Sequence, residues 1–409
     1  MTIESAILIA GVLLLLSVLA SRISSALGVP SLVLFLALGM LAGSEGIGSI
    51  ELDSFDLVQR VGTVALLVIL FAGGLDTRWA EVKPVLAPGL LLSTVGVLIT
   101  TALLGTFAWF ALGTYTGFDL GAAGLTWLEA FLLAAIVSST DAAAVFSVFR
   151  TSDVQPVPRL RSLLELESGS NDPMAVLLTT LILGVMATGG GVTAGHVTIT
   201  LLVQFAAGGV AGGLIGWVAA WVVNRVRPAG EGLIPVMVLA WGLIAFGLTD
   251  ALGGNSYLAV YLAGMVLGNR LGPRRQPAVE FHDGLSWLMQ IGMFVMLGLL
   301  VFPSELGSVA AVGVAIALFL MLVARPVSVF LCLLPFSYRP REKVYVSWVG
   351  LRGSVPIILA TFPASYGIAG ANQIFNLVFF IVLVSVLVQG MSLVPVARRL
   401  GVTVGGGSE

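Results

Sequence analysis

A cluster of ionisable and polar side chains falls between positions 165 and 172, and a long apolar run follows it. Oxygen atoms of carboxylates, hydroxyls and amides are the ligands that hard cations prefer, and a carboxylate can bind a proton in place of a cation. The cluster therefore indicates a site that binds a cation or a proton. Its three carboxylates, two hydroxyls and one amide belong to Glu165, Glu167, Asp172, Ser168, Ser170 and Asn171.

A helical conformation would divide this cluster between two faces. At about 100° per residue, Glu165, Ser168 and Asp172 share one face, whereas Glu167 and Asn171 share a neighbouring face. We therefore expect Ser168 and Asp172 to present oxygen atoms to one cavity, and Glu167 to contact a different partner.

The composition of the whole chain predicts an all-α membrane protein with many transmembrane helices. Hydrophobic residues make up 58% of the 409 residues and charged residues only 10%, and the mean hydropathy is +1.07. A soluble chain carries about 25% charged residues, and a β-barrel shows short alternating segments instead of continuous apolar runs. With one cysteine, Cys332, and two histidines, His196 and His282, the chain has too few ligands for a zinc site. We expect contact with membrane lipid, no cofactor and no nucleic-acid partner.

Thirteen apolar segments are candidates to cross a bilayer, which takes about 20 residues. Twelve is the alternative count, because the second and ninth segments are short. The first segment follows no positively charged region, so we interpret it as a retained helix and not as a signal peptide. The predicted spans are Ser5–Ser21, Pro30–Gly43, Gln59–Gly74, Val85–Leu112, Trp127–Phe149, Leu163–Ala187, Val197–Val226, Gly232–Thr249, Asn255–Gly268, Gly284–Val301, Val309–Leu334, Lys343–Ile368 and Gln373–Val396.

The basic residues favour an odd number of spans. Sixteen of the 19 lysines and arginines fall in alternate loops, while Arg60 lies at the edge of the third span. Because positively charged loops stay in the cytoplasm, the amino terminus is predicted to lie outside and the carboxyl terminus inside. The two remaining arginines, Arg325 and Arg352, fall within the eleventh and twelfth spans and need buried partners or a water-filled cavity.

Two spans are interrupted near their middle, at residues 138–141 in the fifth and residues 350–356 in the twelfth. They lie seven spans apart and so cross the membrane in opposite directions. This pattern is typical of transporters built from two inverted repeats, whose ion site lies at the midplane between broken helices. Spans 1–6 and 8–13 would form the two halves. Asp141 would then add a second carboxylate to the site, and an unwound Thr140 would add a backbone carbonyl.

The depth of the cluster in the membrane decides its interpretation. In the alternative interpretation the sixth helix starts at Pro173, with Asn171 or Asp172 as its cap, and the acids lie at the surface. We favour the buried interpretation, because residues 173–188 are a short run for a crossing. Asp172 would then lie near mid-membrane, where burial disfavours its charged form. Such a carboxyl holds a cation or a proton, and this competition is sufficient for exchange.

The charged residues near this cluster suggest an ion pair. Glu167 and Arg352 are predicted to pair, because both lie on the cytoplasmic half of spans that start from the cytoplasm. Arg325, directly before Pro326, is either an additional site residue or the end of its helix. Glu165 is either an additional site residue or an interfacial one.

Three motifs together resemble the monovalent cation/proton antiporters, in the Asn-Asp branch usually called NhaP-type. They are residues 167–172, residues 138–147 around Asp141, and residues 347–360 around Arg352. The last two look like the bacterial potassium/proton antiporter subgroup, and the resemblance covers essentially the whole chain. The sequence departs from the broader family pattern at Ala142, where the family has a proline that would favour an interrupted helix.

The resemblance implies a thirteen-span inverted repeat in which the discontinuous fifth and twelfth spans cross. A mobile core of spans 4–6 and 11–13 would move, in an elevator-like alternating access, against a dimerisation scaffold of spans 1–3 and 7–10. The protein would be a homodimer in the inner cell membrane. The implied roles are cation or proton binding at Asp172, completion of the site by Asp141, Thr140 and Ser168, electroneutral exchange through Asn171, and an ordering ion pair between Glu167 and Arg352.

The resemblance also bears on the substrate and on the ends of the chain. It favours potassium over sodium and a role in cation and pH homeostasis. Residues 1–400 would form the transmembrane domain, and residues 401–409 a linker-like tail before a cytoplasmic nucleotide-sensing domain that this chain lacks.

Two other functions are compatible with parts of the sequence. One is an ion-coupled carrier of organic solutes on the same fold. The other is an intramembrane aspartyl protease that uses Asp141 and Asp172, although the Gly-x-Gly-Asp pattern of that class is missing.

Overall fold

The computed structural model describes residues 2–27, 30–52, 54–115, 125–150, 152, 154–189, 193–226 and 229–404. Over these residues the protein is almost entirely helical, and its sheet structure is a pair of two-residue strands. The helices are α1 Ile3–Leu27, α2 Ser31–Ala42, α3 Phe55–Asp76, α4 Trp79–Val82, α5 Leu86–Leu91, α6 Val97–Tyr115, α7 Trp127–Ile136, α8 Ala142–Arg150, α9 Pro158–Ala187, α10 Ala194–Arg225, α11 Leu233–Ala251, α12 Ser256–Gly268, α13 Arg275–Leu300, α14 Pro303–Phe319, α15 Arg325–Cys332, α16 Pro340–Trp348, α17 Ser354–Leu359, α18 Phe362–Ser365 and α19 Ala371–Leu400.

The helices have the length and composition of membrane spans. Nine segments in the described part of the chain are long and apolar enough to cross a bilayer, and four shorter apolar helices of 10–17 residues accompany them. The second and ninth spans, which were predicted to be short, correspond to α2 and α12. The protein is therefore a polytopic membrane protein, as its composition predicts.

Two helices are interrupted where the sequence predicts. Residues 137–141 separate α7 from α8, and residues 349–353 separate α16 from α17. The fifth span is thus discontinuous even with Ala142 in place of the family's proline. Two π-helical turns, Leu92–Gly96 between α5 and α6 and Leu320–Ala324 between α14 and α15, add a second pair of irregularities.

The helix α9 carries the whole polar cluster. It begins at Pro158 and continues through Pro173 to Ala187. The alternative interpretation, in which this helix starts at Pro173, is therefore wrong. Glu167, Ser168, Asn171 and Asp172 are all buried within α9.

Glycines allow α10 and α3 to approach α12 closely. A Cβ atom on Gly212 of α10 would lie 2.5 Å from the backbone oxygen of Ala259, and one on Gly74 of α3 would lie 2.2 Å from that of Tyr261. Small residues of this kind let transmembrane backbones pack directly against one another. We call α3, α10 and α12 the glycine-packed group.

The end of the described chain is ordered. Strand β2, Thr403–Val404, pairs antiparallel with β1, Gln155–Pro156, and the backbone N–H of Val157 donates to the carbonyl of Val402 at 3.0 Å. Val402 is buried. The prediction of a linker-like tail from residue 401 is wrong for residues 401–404, because their backbone is paired with the segment that precedes α9. Residues 405–409 of that predicted tail lie outside the described residues.

The glycine packing gives a prediction with an internal control. Gly212→Ala places a methyl group into the Ala259 carbonyl and should lower the free energy of unfolding by about 1–3 kcal/mol. Gly213→Ala, on the same helix, meets no atom within 4 Å and should be neutral or slightly stabilising, because glycine is a poor helix former. Unfolding in detergent micelles measures both, and equal losses of stability would contradict the packing described here.

Candidate ion-binding site

The interruptions of the two broken helices contact each other. The backbone N–H of Asp141 donates to the Leu351 carbonyl at 2.8 Å, and the Arg352 guanidinium donates to the carbonyls of Ser138 and Ser139. A broken helix in an apolar environment leaves backbone groups that must find partners within the protein. Each interruption therefore supplies hydrogen bonds to the other, and the Arg352 cation is well placed at the negative carboxyl end of α7.

A glycine is required at position 353 of this junction. A Cβ atom there would lie 1.8 Å from Oδ2 of Asp141. The opposite carboxyl oxygen, Oδ1, accepts a hydrogen bond from the Ala144 N–H at 2.9 Å. Asp141 thus caps the start of α8 with one oxygen and lies against the second broken helix with the other.

Two residues of α9 contact the unwound segment at Thr140. Ser168 Oγ donates to the Thr140 carbonyl at 2.9 Å and accepts from the Ala142 N–H at 3.0 Å. The Asn171 amide donates to Thr140 Oγ1 at 2.6 Å. The structure thus brings together Thr140, Asp141, Ser168 and Asn171, four of the five residues predicted to bind the ion.

The fifth predicted residue, Asp172, lies at the same place. Its carboxyl interacts with that of Asp141 and with the Ser139 side chain, and it is 8% exposed. Asp172 Oδ1 and the neighbouring Asn171 Oδ1 are buried acceptors without a hydrogen-bond partner among the described residues. Unpaired buried oxygens are costly, so these two atoms are suited to a cation or, at the carboxyl, to a proton.

The buried ion pair has a different partner from the one predicted. Glu167 contacts Arg325, with 2.5 Å between Oε1 and Nη1, and their side chains are 1% and 5% exposed. The predicted Glu167–Arg352 pair was wrong, because the guanidinium of Arg352 donates instead to the Ser138 and Ser139 carbonyls in the first interruption. Arg325, the partner observed instead, directly follows the π-helical turn that ends at Ala324.

The remaining candidate, Glu165, points elsewhere. It pairs with Arg161 one helical turn earlier at 2.9 Å, and its side chain is 26% exposed. It is therefore not among the side chains that converge on the two interruptions.

Sequence reasoning missed the contacts that α9 receives from α12. The Asn255 side chain donates to the Pro173 carbonyl at 2.9 Å, and the Tyr261 ring covers Gly169, where a Cβ atom would lie 2.4 Å from the ring. Asn255 caps α12 through the Leu258 N–H. An asparagine before an apolar helix signals this cap, but sequence alone carries no signal for the contact with α9.

The observed pairing can be tested by double-mutant cycles. Glu167→Gln or Arg325→Gln alone leaves a buried charge unpaired and should cost roughly 3–5 kcal/mol of unfolding free energy. The double variant should lose much less than the sum of the two. The cycle of Glu167→Gln with Arg352→Gln serves as the matched comparison and should be closer to additive. A larger coupling in the Arg352 cycle would contradict the assignment.

The chain is similar to known proteins over almost all of its length. The family model described as sodium/hydrogen exchanger, transmembrane, matches residues 11–399. The K(+)/H(+) antiporter NhaP2 of Shewanella oneidensis is 44% identical over 400 residues, which cover 97% of this chain and 67% of that protein. The K(+)/H(+) antiporter NhaP of Alkalimonas amylolytica is 42% identical over 394 residues, which cover 96% of this chain and 66% of that protein. The chain thus spans about two thirds of the length of these two relatives.

A more distant relative and a solved structure come from one organism. The Na(+)/H(+) antiporter 1 of Methanocaldococcus jannaschii is 29% identical over 362 residues, covering 86% of this chain and 81% of that protein. The structure of the sodium proton antiporter MjNhaP1 from the same organism at pH 8 is similar with a TM-score of 0.82 and 26% identity, over 98% of this chain and 99% of that one. Because the family model matches residues 11–399, nearly all of the sequence, the chain belongs to the transmembrane sodium/hydrogen exchanger family.

Proposed function

We propose that this protein is a secondary antiporter that exchanges a monovalent cation for a proton at Asp172. The observation that carries the proposal is the buried Asp172 carboxyl, which has an unpaired oxygen and directly follows Asn171, whose amide bonds to Thr140 in the first interruption. Family membership and relatives named as K(+)/H(+) and Na(+)/H(+) antiporters support it.

Competition for one carboxyl couples the two ions. The ionised Asp172 carboxylate binds either a cation or a proton, and the protonated, neutral form no longer attracts a cation. Moving an unloaded carboxylate through the apolar barrier is costly, whereas either loaded form is neutral. The protein therefore carries the cation in one direction and the proton in the other.

The charges of the buried residues favour an exchange of one cation for one proton. Glu167 is neutralised by Arg325, and the Arg352 cation lies at the same junction as the Asp141 carboxylate. One negative charge, on Asp172, then remains for a single monovalent cation or a single proton. Asn171 is uncharged, so it adds no further proton, and the exchange is electroneutral.

Alternating access is proposed to follow an elevator-like movement. The fifth and twelfth spans each contain an interruption, and the fourth and eleventh each contain a π-helical turn. These matched irregularities, seven spans apart, support two inverted repeats across thirteen spans with the amino terminus outside. The mobile core would consist of spans 4–6 and 11–13, and the scaffold of the other spans would form a homodimer in the inner cell membrane.

Potassium is the proposed substrate. The two relatives described above as K(+)/H(+) antiporters are 44% and 42% identical to this chain, whereas the Na(+)/H(+) antiporter is 29% identical. The converging oxygen atoms suit either alkali cation, so the argument for potassium is one of similarity. The relatives described above are named for inorganic cations and not for organic solutes. A protease is not favoured, because one oxygen of Asp141 already caps α8.

The role of Asp172 is testable in proteoliposomes of the purified protein. A preset pH gradient should dissipate when potassium is added to the wild type, and this response should fall at least tenfold in Asp172→Asn, which binds no proton at that position. Asp56→Asn changes an exposed acid paired with Arg60 and should behave like the wild type. Melting temperatures establish that both variants are folded. Cation-dependent proton movement that survives in Asp172→Asn would overturn the site.

The stoichiometry and the cation selectivity of exchange can be measured in the same proteoliposomes. The membrane potential is set to positive or negative values with a potassium or sodium gradient and an ionophore for that ion. The initial rate of exchange should be the same at both signs of the potential, because a one-for-one exchange moves no net charge. Half-saturation should occur at a lower concentration for potassium than for sodium. A rate that depends on the membrane potential would refute electroneutral exchange. A lower half-saturating concentration for sodium would refute the proposal that potassium is the substrate.

A further inference from the structure

The contact between Asn255 and α9 lies directly beside the ion-binding carboxyl. The side-chain amide of Asn255 donates to the backbone carbonyl of Pro173, the residue after Asp172. Asn255 is 6% exposed, and its Oδ1 accepts the Leu258 N–H at 3.0 Å. One side chain therefore caps α12 and also holds α9 at the position of the proline.

The helix α9 is weakest where Asn255 contacts it. Pro173 has no N–H, so the Gly169 carbonyl loses its usual donor, and the proline ring crowds that carbonyl. Helices in membranes tolerate such positions when neighbouring helices supply polar contacts. The segment before Pro173 is held by the bonds of Ser168 and Asn171 to Thr140, and Asn255 adds a polar contact at the proline itself.

Asn255 is itself held firmly. Its backbone N–H donates to the Gln204 carbonyl at 3.0 Å, and its backbone oxygen lies close to Gly208, where a Cβ atom would be only 2.5 Å away. Six residues further along the same helix, the Tyr261 ring lies against Gly169. The glycine-packed group thus presents two fixed contacts to the face of α9 at the site.

We propose that Asn255 is a positioning residue for ion binding, which sets the direction of the Asp172 carboxyl through its hydrogen bond to the Pro173 carbonyl. The proposal rests on the proposed antiport at Asp172. Asn255 touches no ion, and it acts on the affinity of the site through the backbone of α9. Because it belongs to the group of helices against which the core would move, its bond also specifies the position of the core in which the site has this geometry.

Substitutions at this position separate the two functions of the side chain. Asn255→Ser keeps a good helix cap but lacks the amide that reaches Pro173, whereas Asn255→Ala loses both. We expect Asn255→Ser to raise the half-saturating potassium concentration about fivefold, the change expected for one hydrogen bond, with a maximal rate at or above that of the wild type. Its melting temperature should stay close to that of the wild type, and that of Asn255→Ala should fall.

A cap elsewhere provides the control for stability. Ser54→Ala removes the cap of α3, where Ser54 accepts the Leu57 N–H, and should lower the melting temperature without changing half-saturation. A wild-type half-saturation in Asn255→Ser would overturn the proposal. A melting temperature that falls as far in Asn255→Ser as in Asn255→Ala would also overturn it, because the role would then be structural.

Amide hydrogen exchange tests the positioning without relying on transport. Residues 169–177 of α9 should exchange faster in Asn255→Ser than in the wild type, while α10 should be unchanged. If the wild type shows no cation-dependent proton movement but this local effect is present, the proposed function fails and the contact stands. If transport is normal in the wild type and the exchange of α9 is unaffected by Asn255→Ser, the positioning role fails.

Discussion

The structure depends on the pairing of backbone groups where two membrane helices are broken. An interrupted helix inside a bilayer exposes carbonyls and N–H groups that lipid cannot satisfy. Here the Arg352 side chain donates to the unwound carbonyls of Ser138 and Ser139 after α7, and the Leu351 carbonyl accepts the N–H of Asp141. This mutual pairing makes an irregular, polar backbone stable at depth. An ion site there can include both carboxylates and unwound main chain.

The polar residues of α9 complete this junction because successive residues face different partners. Ser168 and Asn171 bond to Thr140, which joins α9 to the interruption, while Glu167 turns to Arg325 on α15. A buried pair of this kind costs desolvation energy and adds little net stability, but loss of either member is severe. Its contribution is the fixed direction of α9. Of the three acids in this cluster, Glu165 and Glu167 have arginine partners, and Asp172 is the one for which the described residues show no ion pair.

The surroundings of α9 divide into two kinds of contact. The broken helices contact it through hydrogen bonds to unwound backbone, whereas α12 contacts it through one hydrogen bond at Pro173 and one close ring contact at Gly169. By contrast, α12 packs tightly with α3 and α10 through glycines. Few bonds connect the site to the glycine-packed group, and this is the arrangement that relative movement of the two groups would require.

The sequence by itself determined the membrane class, the interruptions of two spans and the polar residues that meet at these interruptions. These follow from local properties: apolar length, polar residues placed within apolar runs, and the helical phase that separates Glu167 from Ser168 and Asp172. The family motifs pointed to the same residues. Local pattern was also sufficient to favour a continuous α9 over a start at Pro173, because the remaining run was short.

Only the tertiary structure decided which residues meet. Sequence reasoning paired Glu167 with Arg352, whereas the structure pairs it with Arg325. The outcome depends on the direction of the unwound segment that carries Arg352, which has no local signature. Asn255 reads from sequence as a helix cap, and its bond to the Pro173 carbonyl exists only because glycines bring α12 into place. Val402 looked like part of a linker until its pairing partner, 245 residues earlier at Val157, was known. Contacts between distant segments depend on packing geometry, which a single sequence does not specify.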